Sequence, residues 1–260
     1  MKIKLFQVDA FTDHLFGGNP AAVCPLEKWL PEATMQYIAM ENNLSETAFF
    51  TCEDGVYSIR WFTPAAEVNL CGHATLASAH VIYRHLNYSG ERIIFESKSG
   101  KLSVFLSGKQ LILDFPADHP VKIEAPAKII EALAAVPIET YKGRTDYLFS
   151  YASEDDIAAI KPDFRKLSGE GIRGIIVTAP GKSVDFVSRF FAPGVGIDED
   201  PVTGSAHTTL IPYWSKRLGK TELNAIQTSK RRGILSCKLI GDRVEIGGQA
   251  VTFFEGFINM

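Results

Sequence analysis

The sequence predicts an α+β protein of two similar halves, each with a buried central helix, and a cleft between them. Three observations lead there. Strand-like and helix-like segments alternate along all 260 residues. Two helical stretches, residues 72–86 and 204–218, carry almost no charge, which marks helices buried on every side. A short internal repeat sets the same motif ahead of each: Arg60, Phe62 and Pro64 match Arg189, Phe191 and Pro193, and Glu67, Gly72 and Ala74 match Glu199, Gly204 and Ala206.

The elements follow in order. Residues 2–9 alternate with the period of a strand. Residues 13–20 contain Gly17, Gly18 and Asn19 and read as a turn-rich loop. Residues 30–41 carry Leu30, Met35, Ile38 and Ala39 at helical spacing. Residues 45–52 and 56–62 read as two strands joined by the hairpin turn Glu53-Asp54-Gly55. After the first buried helix, residues 92–114 hold three strand-like runs separated by Lys98-Ser99-Gly100 and Ser107-Gly108-Lys109. Residues 116–126 carry Pro116, Pro120 and Pro126 and mark the boundary, giving halves of 1–117 and 118–260, with the last strand able to cross back to the first half. Beyond it, residues 127–135 and 155–160 read as helices and 174–179 and 184–191 as strands. The second buried helix precedes short strands at 235–240, 243–246 and 250–254.

Hydrophobic residues make up 46% and charged residues 22%, which excludes collagen-like and broadly disordered chains. With 27 basic and 30 acidic side chains, no strong field points to nucleic acid or a membrane surface. No window approaches ~18 uncharged apolar residues, so no membrane span is expected. The N-terminal segment reaches Asp9 before a signal-peptide core forms, and the four cysteines Cys24, Cys52, Cys71 and Cys237 lack CxxC spacing. Reduced thiols in a cytoplasm are the expectation.

Gly72-His73 and Gly204-Ser205 open the two buried helices. Such a start offers unpaired backbone N–H groups to a carboxylate or phosphate, and it is also what a plain cap or tight turn looks like. If both starts face one cleft, they grip one small anion with no metal and no dedicated arginine. Glu46 lies in the apolar run Leu44-Ser45-Glu46-Thr47-Ala48. It reads as a solvent-facing acid on an edge strand or as a desolvated general acid/base. His73 is a capping or core histidine, or an assisting group. Asp198, Glu199 and Asp200 form an acidic loop without the paired His-carboxylate spacing of a metal site, so no metal is expected. Cys71, at the mouth of the first helix, aligns with Thr203, which argues against paired-thiol chemistry.

The segments Gln7-Val-Asp-Ala-Phe-Thr12, Gly18-Asn-Pro-Ala-Ala-Val23, Asn43-Leu-Ser-Glu-Thr-Ala-Phe49, Arg60-Trp-Phe-Thr-Pro64, residues 67–75 and Asp200-Pro-Val-Thr-Gly-Ser-Ala206 together resemble the phenazine-biosynthesis PhzF-like family, within the diaminopimelate-epimerase fold. The resemblance implies two pseudo-symmetric domains, each a curled, mostly antiparallel, barrel-like sheet around a central helix, with the active site between them. It implies a homodimer without cofactors. The family's best-known member isomerises trans-2,3-dihydro-3-hydroxyanthranilate by moving a proton within the ring system. Carried over by position, the acid/base glutamate is Glu46, its assisting pair is Gly72 and His73, the motif aspartate is Asp200, and the second anion-binding turn is Gly204 and Ser205. The expectation is a cofactor-independent isomerase of a small carboxylate. Its rivals are a racemase or epimerase using Cys71 with another base, and a non-catalytic small-acid binding protein.

Overall fold

A computed structural model describes residues 1–168 and 171–260, which form two compact units. One holds Met1–Phe115 with Ile246–Met260, the other Pro116–Glu245. In chain order the elements up to the change of unit are β1 (Lys2–Ala10), β2 (Asn19–Leu26), α1 (Glu32–Asn42), β3 (Glu46–Glu53), β4 (Val56–Phe62), β5 (Glu67–Val68), α2 (Gly72–His85), β6 (Arg92–Ser97), β7 (Gly100–Ser107) and β8 (Gln110–Pro116). Then come β9 (Val121–Lys122), α3 (Ala127–Leu133), β10 (Glu139–Lys142), β11 (Asp146–Ser150), α4 (Glu154–Ala159), α5 (Phe164–Ser168), β12 (Gly174–Pro180) and β13 (Phe186–Ala192). The chain ends with β14 (Ile197–Glu199), α6 (Gly204–Leu218), β15 (Glu222–Gln227), β16 (Gly233–Ile240), β17 (Arg243–Gly248) and β18 (Ala250–Asn259).

The two units share one topology. In the first, β1 and β2 are antiparallel, β2 and β3 parallel across the α1 crossover, and β3 and β4 antiparallel. Then β4 takes β5 antiparallel and β6 parallel, with α2 in the crossover, and β7 returns antiparallel to β6. In the second unit β10, β11, β12, β13, β14, β15 and β16 repeat every one of those relations, with α6 in the place of α2. The sheets are mixed, mostly antiparallel, curled and unclosed rather than closed barrels, so the fold class is α+β.

Both central helices lie where their composition puts them. In α2, Ala74, Leu76, Ala77, Ala79, Val81 and Ile82 are buried, and in α6 so are Ala206, Leu210, Ile211 and Trp214. On another face of the first unit, α1 covers a core of Ile3, Met35, Ile38, Phe49 and Phe62. The second unit's core gathers Ile129, Leu133, Phe149, Ile157, Ile175 and Phe191.

The repeated residues account for the shared path. Arg60 donates from Nε and Nη2 to the two carboxylate oxygens of Glu67, both at 2.7 Å. Arg189 grips Glu199 in the same fork, at 2.8 and 3.0 Å. Each guanidinium lies near the repeated aromatic, 5.2 Å from the Phe62 centroid and 4.8 Å from that of Phe191. A planar fork and a ring together fix the short return strand that leads to each helix.

Residues 19 and 20 belong to β2 and not to the expected loop. The turn is made by Gly18, at φ +60°, where a Cβ would lie 2.0 Å from the Ala10 carbonyl oxygen. Only glycine fits there. Strand β2 gave no alternation because Ala21, Ala22, Val23 and Cys24 are all buried. The last strand runs on to Asn259 and pairs with β1 from Lys2↔Asn259 to Ala10↔Ala250. Among the described residues no helix is long and apolar enough to cross a membrane.

Candidate active site

In the first unit, β3 starts at Glu46 beside Ala21 of β2, and α2 starts at Gly72 after Cys71. Strand β3 lies between β2 and β4, so Glu46 is not on an edge, and it is 9% exposed. His73 is 4% exposed, with Nε2 3.2 Å from Glu46 Oε2. Its ring is held from the other side. The Asn19 amide nitrogen lies 3.2 Å from His73 Nδ1, and Cys71 Sγ lies 3.5 Å from the same atom. Burial pushes the His73 pKa down to about 3, so the imidazole is neutral at physiological pH. Cys71 caps α2 with an extended backbone and no side-chain cap bond, while Thr75 Oγ1 donates to the Cys71 carbonyl at 2.5 Å. The structure therefore brings Glu46, Gly72 and His73 to one place.

In the second unit, α6 starts at Gly204 after the extended Thr203. Thr203 Oγ1 donates to Asp200 Oδ2 at 2.5 Å. Gln227, fully buried, locks the pair: its amide donates to the Asp200 carbonyl at 2.7 Å, and its oxygen accepts from the Thr203 N–H at 2.8 Å. His207 Nδ1 donates to the Thr203 carbonyl at 2.8 Å, as Thr75 does at the equivalent point of α2. Burial holds the His207 pKa down at about 4. Asp200, Gly204 and Ser205 thus gather at the start of α6. An arginine, which the sequence did not lead us to expect, stands beside them. Arg173 Nη2 donates to Ser205 Oγ at 3.0 Å while Nη1 pairs with the buried Asp146. Arg173, Asn19 and Gln227 were all missed. Asn19 had a signal in the Gly-Asn-Pro segment, Gln227 only in being a lone amide after Ala225-Ile226, and Arg173 had none.

One trio of metal-ligand types occurs among the described residues: Glu46, Cys71 and His73, with one donor atom of each within 4.8 Å of the others. These three donors converge, Cys71 Sγ lying 3.5 Å from His73 Nδ1 and Glu46 Oε2 lying 3.2 Å from Nε2, but no fourth ligand type joins them among the described residues. A neutral imidazole against a buried carboxylate is instead an arrangement for handling protons.

Comparisons with known proteins give the family. The family model described as phenazine biosynthesis-like protein, PhzC-PhzF, matches residues 8–256. An uncharacterised isomerase of Pseudomonas aeruginosa is 50% identical over 260 residues, the whole of both chains. A PhzF-family crystal structure from Enterococcus faecalis superposes with a TM-score of 0.97 at 49% identity, over 100% of each chain. A predicted epimerase of Pseudomonas aeruginosa shares the fold, with a TM-score of 0.75 at 17% identity over 99% of each chain. With one topology built twice from its sequence repeat and a histidine–glutamate pair buried at the start of a central helix, this chain belongs to the phenazine biosynthesis-like (PhzF) family and is an isomerase.

Proposed function

We propose that the chain is a cofactor-independent isomerase that moves a proton within a small carboxylate substrate by general acid/base catalysis. The observation that carries this is the approach of His73 Nε2 to Glu46 Oε2, 3.2 Å apart with both groups buried. Glu46 takes a proton from a carbon next to a carboxylate-conjugated system and returns it elsewhere on the same molecule, so atoms and charge balance without a redox partner. The neutral His73 assists by holding the carboxylate. Negative charge grows on the conjugated system as the proton leaves, and N–H groups fixed in advance lower that barrier most. Gly72 at the start of α2 is assigned to this role. Asp200, Gly204 and Ser205 enter through the repeat and the resemblance, Asp200 tuning protonation and the Gly204-Ser205 turn taking substrate carboxylate. A homodimer is proposed on the resemblance, a cytoplasmic location on the scattered cysteines, and the absence of nucleic-acid partners on the near-even charge balance.

The test is a thermal-shift screen of small carboxylates, followed by proton NMR of each hit in D₂O with enzyme. The wild type should wash deuterium into a hit. Glu46→Gln should still bind it and exchange ~10²–10⁴-fold more slowly, the usual cost of losing a general acid/base. Near-normal exchange in Glu46→Gln refutes the proposal. Cys71→Ser should keep most of the activity. Loss by orders of magnitude in that variant, with the fold intact, would favour a cysteine-based epimerase instead.

A further inference from the structure

We propose that Asn19 is a positioning residue that fixes His73 as the Nε2–H tautomer, with its lone pair held at Nδ1. A side-chain amide nitrogen carries two N–H groups and no available lone pair, so Asn19 Nδ2, 3.2 Å from His73 Nδ1, can only donate to that atom. Cys71 Sγ, 3.5 Å from the same nitrogen, brings a second donor in its S–H. A neutral imidazole has one ring proton, and it then has to sit on Nε2. That nitrogen lies 3.2 Å from a carboxylate oxygen without a hydrogen bond between them, and next to that oxygen an N–H is electrostatically favoured over a lone pair. The donors at Nδ1 set the tautomer, and the nearby carboxylate favours the same one.

The backbone prepares this. Gly18 turns the chain at φ +60° and brings Asn19 to the first position of β2, opposite Ala10, where its side chain is fully buried. The ring is neutral because it is buried, so only the tautomer is left to be chosen. Held this way, His73 cannot act as a second base at Nε2. Its N–H lies beside the Glu46 carboxylate, and Cys71 becomes a partner of the histidine rather than a nucleophile. This role for His73 in turnover rests on the function proposed above, whereas the tautomer does not.

The tautomer is read directly from long-range ¹H–¹⁵N spectra of protein labelled with ¹⁵N-histidine, the His73 signals being assigned by their loss in His73→Gln. Wild type should show a protonated Nε2 and, far downfield, a lone-pair Nδ1. In Asn19→Asp, of nearly the same shape, a carboxylate replaces the donor and the proton should appear on Nδ1, with exchange into the carboxylate hit slowed ~10- to 10⁴-fold. The upper figure is the cost of holding a catalytic histidine in the wrong tautomer. Asn19→Ser, which keeps a donor, should restore the wild-type pattern. An Nδ1–H histidine in the wild type overturns the proposal without any variant having to fold. So does an unchanged ring in Asn19→Asp. A correct tautomer with full exchange activity in Glu46→Gln would instead refute the proposed function and leave the tautomer standing.

Discussion

Arg189→Met and Arg60→Met should destabilise the protein by clearly different amounts, although the two arginines are repeat equivalents. Arg189 makes four hydrogen bonds: two to the Glu199 carboxylate and two from Nη1 to the Ile157 and Ile160 carbonyls, both at 2.8 Å. Its side chain is 12% exposed and that of Glu199 is 21% exposed. The two carbonyls lie at the end of α4: Ile160 is its C-cap, and the Ile157 oxygen otherwise accepts only a long 3.4 Å bond from the Ile160 N–H. Losing Arg189 leaves a carboxylate and two carbonyls without these donors at once. Breaking a buried pair costs roughly 3–5 kcal/mol, and the carbonyls add to this where water cannot reach them. Arg60 also forks onto Glu67, but Lys98 Nζ stands 2.5 Å from Glu67 Oε2, so the carboxylate keeps a cation, and Arg60's third acceptor, Glu32, is 68% exposed. About 2 kcal/mol for Arg60→Met and about 4 kcal/mol for Arg189→Met follow, a ratio near 30 in the folding equilibrium. Urea unfolding followed by circular dichroism and by tryptophan fluorescence, from Trp29, Trp61 and Trp214, measures both. Trp214 reports on the second unit, where it stacks on Phe186 at 5.7 Å and donates to Thr178 at 2.9 Å. Arg189→Lys should recover only part of the loss, since an ammonium cannot reproduce the fork. Equal costs, or a larger one for Arg60, would refute the assignment of the difference to the α4 carbonyls.

Two further outcomes are expected. Gly18→Ala should cost well over the ~1–2 kcal/mol of a left-handed residue, because its Cβ meets a backbone oxygen and not a side chain, and the His73 ring signals should shift with it; a thermal melt and the same ¹⁵N spectra check both. Stability should also fall on acidification from about pH 6.5 towards about pH 4. His73, His80 and His207 are held by burial at about 3, 4 and 4, so over that range the unfolded chain takes up protons the folded one refuses, at a slope of up to ~1.4 kcal/mol per pH unit for each proton; above pH 6.5 these groups contribute no slope, and urea titrations with equal stability at pH 7 and pH 5 would refute the burial effect.

How much of this was legible in the sequence depends on how local its cause is. The central helices were plain, because a helix buried on all sides has to be apolar throughout, and α6 spans the predicted residues 204–218. The repeat was legible because a forked Arg–Glu pair beside an aromatic ring needs those residue types at a narrow spacing. Strand β2 was not, because a strand buried on both faces loses the alternation that marks strands. Short strands such as β5, β9 and β14, two or three residues long, exist by pairing alone and carry no pattern. At the site, Glu46 and His73 each had two readings from sequence. What joins them is the parallel placement of β3 beside β2 and the start of α2 next to it, which no spacing of 27 residues encodes. The Arg173–Ser205 contact likewise spans 32 residues.

The two copies also show what a duplication keeps and what it releases. Cys71 and Thr203 precede their helices with nearly the same extended backbone, φ −143° with ψ 112° and φ −113° with ψ 98°, and neither uses its side chain as a cap. The backbone at this point is the part that was kept: it frees the first N–H groups of the helix, and its carbonyl is met from within the helix by Thr75 in one copy and His207 in the other. The side chain was released from capping and serves a different neighbour in each unit. The thiol faces a histidine nitrogen, and the hydroxyl donates to Asp200. A serine at 71 is still a donor for Nδ1, whereas a cysteine at 203 would replace the Thr203 hydroxyl, a strong donor to the Asp200 carboxylate, with a weak one. The asymmetry that argued from sequence against paired thiols therefore has a structural reason: each pre-helix side chain is already committed to the ionisable group of its own unit.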